Sequence, residues 1–178
     1  RDYYASRGLG DVYKRQIQYL LLIINPTIIF TAYCIATHNI TIGLIEVFSF
    51  LLIRKYCGGY HCQSSTACLI FSVIILIVMA WLSSFIKPSL YMFIALVIAD
   101  VELIIKGPVI SVNHSVSDSE KKYYHRCLVG ILAVFNIIII AATVLHLYRT
   151  ASCISIVIIF CFISHIACMT EKNRKLYY

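Results

Sequence analysis

Charged residues are so unevenly spread along this chain that the apolar runs between them decide its architecture. No Asp, Glu, Lys or Arg lies between Arg15 and Glu46, between Lys55 and Lys87, between Arg126 and Arg149, or between Arg149 and Glu171. A helix that crosses a bilayer needs about 20 consecutive apolar residues, with every backbone group bonded inside the segment. The runs meet this requirement and lack the polar stripe of an amphipathic helix in a soluble domain. The pattern predicts an all-α, polytopic membrane protein of about six transmembrane or re-entrant helices. They fall near Ile17 to Ala36, Ile40 to Ile53, Ala67 to Ile86, Ser89 to Ile105, Cys127 to Leu147 and Ala151 to Met169. The second is short for a span, so a tilted and a re-entrant segment both remain open for it.

Composition agrees with the pattern. Of 178 residues, 61% are hydrophobic and 13% charged, with a mean hydropathy of +0.87; soluble domains carry about 25% charge. The net charge of +7 sits in short connections and at the C-terminus, which is a topology signal and not a nucleic-acid-binding face. Arg54 and Lys55, then Lys106, Lys121, Lys122 and Arg126, then Lys172, Arg174 and Lys175 all fall on one side, whereas Lys87 and Arg149 occupy tight turns on the other. The basic side is expected to face the cytoplasm. Tyrosines at the predicted membrane edges, among them Tyr56, Tyr60, Tyr123 and Tyr124, read as an interfacial aromatic belt. Most of the eight cysteines lie inside apolar runs, where a reduced thiol behaves as a small hydrophobe and not as part of a disulfide framework.

Residues 1–16, RDYYASRGLGDVYKRQ, are polar and basic and switch abruptly to apolar sequence at Ile17. Their DVYKRQ portion resembles the translation of a transposon-type sequencing adapter, so this stretch is read as non-native and the domain as residues 17–178, with the native N-terminus expected to be missing. A genuine basic tail is the competing reading.

The chemistry concentrates in Arg54 to Cys68, RKYCGGYHCQSSTAC, which places a Gly-Gly bend, a histidine and several thiols between two apolar runs. A cysteine nucleophile needs a base, and His61 is available to Cys68. On one straight helix the pair would stand about 10 Å apart, too far for direct proton transfer. Gly58 and Gly59 can bend the chain, while Ser64, Ser65 or Thr66 can cap the next helix, leaving Cys68 in its first turn and His61 folding back from the loop. There the helix dipole and His61 both favour a thiolate. From spacing alone, a lining cysteine and an interfacial histidine are the commoner reading, since His and Cys pairs often arise by accident. A zinc site of Cys57, His61, Cys62 and Cys68 is also available in residue type, but lacks the regular spacing of a structural site; no metal or cofactor is expected.

The order Arg54, Gly58, Gly59, His61, Cys68 resembles the signature of the accessory gene regulator protein B family (AgrB), membrane peptidases of bacterial quorum sensing. Gly107, Pro108 and Val109, followed by Asn113 and Glu120, resemble that family's downstream loop. The resemblance covers about Ile17 to the C-terminus. It implies a cysteine endopeptidase that cuts an AgrD-type precursor peptide at the membrane, with His61 and Cys68 as catalytic pair and Arg54, Gly58 and Gly59 as supporting motif. It further implies a thioester acyl-enzyme that a nucleophile within the peptide resolves into a thiolactone or lactone. Gln63, Lys121, Lys122 and Arg126 are candidate substrate contacts. A homo-oligomer is compatible with the chain.

The chain departs from the family pattern at Cys62, where a small residue is common, and at His114 and Ser115, where a basic residue and proline are common. Asp100 and Glu102, near the end of a membrane segment, should point in different directions, and Lys106 suits Glu102 at i,i+4 spacing. Two other functions compete: a transporter component using Asn25, Asn136, His146 and His165 along a pathway, and a non-catalytic membrane scaffold.

Overall fold

The computed structural model describes residues 17, 20–21, 24–58, 65–108 and 118–176. The adapter-like segment 1–16 lies outside them. Among the described residues the chain is all helix: α1 (Ile24–Ala36), α2 (Ile40–Cys57), α3 (Ser65–Phe85), α4 (Leu90–Lys106), α5 (Asp118–Val144) and α6 (Tyr148–Leu176). Ile and Val are abundant in all of them, and in an apolar environment their weak helix propensity is outweighed by the need to bond every amide internally. Three helices are long and apolar enough to cross a membrane: Thr66–Phe85, Ser119–Val144 and Tyr148–Thr170. Of the others, α4 has 17 residues, about 26 Å of helix, and α2 carries Glu46, Arg54 and Lys55.

Successive helices run antiparallel and define two ends. At one, here the basic end, Tyr56 lies 5.9 Å from Tyr124, and His165 reaches the Gly107 carbonyl. At the far end, Arg149 meets Ser84 and Cys153 lies beside the Ile42 carbonyl. α2 is one continuous helix from the far end to the basic end of the bundle. α5 starts nine residues before the apolar run at Cys127 because a basic turn, Lys121 to Arg126, continues the same helix.

Backbone bonds close the turns after α1 and α5 at the far end. After α1, Asn39 N–H bonds the Cys34 carbonyl (2.8 Å) and His38 N–H bonds that of Ile35 (3.1 Å), with His38 at φ 54°. After α5, Leu147 N–H bonds Ala142 (2.8 Å) and His146 N–H bonds Thr143 (3.2 Å), with His146 at φ 60°. Both are Schellman closures with histidine in the left-handed position that glycine usually fills. At the basic end, Gly58 (φ 76°) and Gly107 (φ 65°) terminate α2 and α4, each bonding the carbonyl four residues back.

α6 is the central post. It packs on α2, α3, α4 and α5, and Ala151 through Ile158 are buried without interruption. Small residues in this stretch, Ala151, Ser152, Cys153 and Ser155, let neighbouring backbones approach, as membrane bundles require where no hydrophobic force draws helices together. Gly43 does the same between α1 and α2: a Cβ there would overlap Cys34 Sγ.

Candidate functional site

The segment with the Gly-Gly bend connects α2 to α3 at the basic end. Gly58 ends α2 in the left-handed conformation anticipated for the bend, and α3 begins at Ser65. Cys68 is therefore the fourth residue of α3, in its first turn as expected, with a free, half-buried thiol. Its carbonyl accepts a hydrogen bond from Ser72 Oγ (2.8 Å). Gly59, His61, Cys62 and Gln63 lie outside the described residues, as do His114 and Ser115. The distance from His61 to Cys68 is thus not part of this geometry.

Other groups at this end are placed. Arg54 lies over the Phe50 ring at 5.5 Å from its centroid, and Lys55 stands 5.3 Å from that of Tyr56. Tyr56, Tyr124 and Tyr123 form a continuous aromatic contact, with ring centroids 5.9 and 6.0 Å apart. Lys121, Lys122 and Arg126 are exposed on the first turns of α5. An aromatic strip flanked by cations suits an amphipathic, acidic peptide at a membrane surface. Cys57, by contrast, is fully buried at the end of α2 and faces the core.

Two histidines that sequence reasoning did not connect hold the end of α4. His125 Nε2 is 2.8 Å from the Ile104 carbonyl, and His165, 1% exposed, places Nε2 2.9 Å from that of Gly107. Carbonyls of a last helical turn lack intrahelical partners, and these side chains supply them. Gly107 and Pro108, the start of the downstream motif, are buried against this clasp. A signal was present in the sequence: two histidines at one membrane edge, opposite a helix that stops at Gly-Pro.

The acidic residues divide as anticipated. Asp100 accepts a hydrogen bond from Asn136 Nδ2 (2.8 Å) across α4 and α5, while Glu102 pairs with Lys106 (2.6 Å). Three of the four transporter candidates have local partners: Asn136 binds Asp100, His146 Nδ1 lies 2.6 Å from Tyr148 Oη, and His165 binds Gly107. The sequence reading overlooked Glu46, which is fully buried between α2 and α6 with Oε2 4.0 Å from Cys153 Sγ; a lone acid in an apolar run was its signal.

The family model for Accessory gene regulator B matches residues 10–168, nearly the whole chain, and spans both the Arg54–Cys68 segment and the Gly107 loop. The chain belongs to the AgrB family. Among curated proteins and solved structures, none matches it significantly. As an AgrB protein it is a membrane protein with a role in the accessory gene regulator system, and Cys68 sits in its first-turn position within the matched region.

Proposed function

We propose that this AgrB chain is a membrane cysteine endopeptidase that cleaves an AgrD-type precursor peptide, with His61 as base and Cys68 as nucleophile. The observation that carries the reading is the half-buried free thiol of Cys68 in the first turn of α3, directly after a connection that contains His61. His61 takes the thiol proton, and the thiolate attacks the scissile carbonyl. The bond to the C-terminal tail breaks as its new amine receives the proton back from His61, leaving a thioester on Cys68. A thiol or hydroxyl within the bound peptide then attacks the thioester, closes a thiolactone or lactone and restores the Cys68 thiol. Ring closure conserves the acyl bond wherever water is excluded. Backbone amides near Cys68 or Gln63 are the available oxyanion donors.

The chain is multi-pass, and the basic end faces the cytoplasm, since nine of its cations cluster there against Lys87 and Arg149 at the far end. The precursor lies along the tyrosine strip, its acidic tail against Lys121, Lys122 and Arg126. Co-expression with a cognate precursor tests the reading. Cleavage should fall at least about 100-fold in His61→Ala and in Cys68→Ala, and persist in Cys62→Ala. Cleavage that survives both substitutions would sink the assignment and favour a transporter or scaffold.

A further inference from the structure

At the far end, opposite the peptidase residues, a cavity of about 230 Å³ opens among α1, α2, α3 and the start of α6. Its walls are mostly apolar, with Tyr33, Trp81 and Phe85 prominent, and its polar groups are Asn39, Ser84 and Arg149. Arg149 is oddly placed on three counts. It is one of two cations at the end that disfavours them. It stands in the first turn of α6, where the helix dipole is positive and repels a cation. No carboxylate pairs with it among the described residues: its Nη2 donates to Ser84 Oγ (2.9 Å), and Glu46 is buried one turn deeper beside Cys153. Each placement costs free energy that a bound anion would offset, and the guanidinium keeps donors free for one.

The surroundings specify what carries the anion. From the cavity mouth, Phe85, Trp81, Val78, Ile74 and Phe71 form a continuous exposed apolar stripe down α3 into the membrane. A ligand with one anionic head at the interface and a long apolar body matches a cation above a lipid-facing stripe. We propose that this cavity is a binding site for an anionic phospholipid, its phosphate held by Arg149 and Asn39, with Ser84 positioning the guanidinium and an acyl chain lying along the α3 stripe.

Trp81 is the chain's single tryptophan and lines the cavity, so the protein carries its own probe. The full chain is reconstituted in phosphatidylcholine bilayers with a small fraction of phosphatidylglycerol brominated on its acyl chains, and Trp81 quenching is measured. Quenching should exceed that expected from the mole fraction at least threefold in the native chain and in Lys87→Gln. It should fall to the mole-fraction value in Arg149→Gln. Quenching that follows the mole fraction in the native chain, or enrichment that persists in Arg149→Gln, overturns the proposal. Should inorganic phosphate shift Trp81 emission in delipidated protein without any lipid enrichment in bilayers, the site belongs to a free anion and the lipid reading fails. Native enrichment is decisive by itself if Arg149→Gln does not fold, with Ser84→Ala then expected to reduce it.

Discussion

The two ends of this bundle solve the same problem differently. At the far end, α1 and α5 stop in Schellman closures whose bonds are all main-chain, with a histidine held at positive φ. At the basic end, glycines stop α2 and α4, and side chains from distant helices complete the termini: His125 and His165 hold the last turn of α4. At the far end the closures of α1 and α5 lie within local turns, while Arg149 reaches Ser84 across helices. At the basic end the terminus of α4 itself is completed by side chains from α5 and α6, beside connections that carry the family motif. On the proposed function, turn closure and chemistry fall at opposite ends, and substitutions should separate them.

The largest effect is expected at Gly43. Gly43→Val forces a side chain into Cys34 and should cost at least about 3 kcal/mol, seen as lost thermal stability and yield, with cleavage per folded molecule unchanged. Cys34→Ala in the same chain should restore part of the loss. Equal loss of cleavage per folded molecule would show that the two ends are coupled. Next, His165→Ala leaves the buried Gly107 carbonyl unpaired, for about 1–3 kcal/mol. Here precursor cleavage should drop more than stability, and His165→Gln, which can still donate, should recover much of it. An activity that follows stability alone would reduce the clasp to packing. The smallest effect is a gain: His38→Gly relieves a left-handed residue and should stabilise by at most about 1 kcal/mol. His146→Gly should gain less, because it gives up the contact with Tyr148. Thermal unfolding of both variants measures the difference, and neither should alter cleavage.

Much of this was legible beforehand because charge and hydropathy punctuate a membrane chain so sharply. The six helices, the glycine at the end of α2, Cys68 in the first turn of α3 and the Glu102–Lys106 pair all follow from local pattern. Which face of each helix meets the core did not follow. Lipid and protein interior are equally apolar, so residues packed inside, such as Leu103 and Ile158, and residues facing outward, such as Ile105 and Ile163, have the same composition. His165 enters the sequence reading only within the competing transporter alternative for the same reason: its polarity is visible there, and its partner 58 positions away is not. Glu46 lies inside the helix expected at Ile40 to Ile53, but its burial against α6 depends on a partner on a distant helix.

The central position of α6 bears on how the molecule is made. The helix that most others lean on follows them in the chain, so it leaves the ribosome after they do. Until it arrives, α2 to α5 have no common partner, and the polar groups that meet it, Glu46 and the Gly107 carbonyl among them, wait unpaired in the membrane. Packing of these helices therefore waits for α6 even though insertion proceeds helix by helix. A nascent chain stopped before Tyr148 should be a target for membrane quality control.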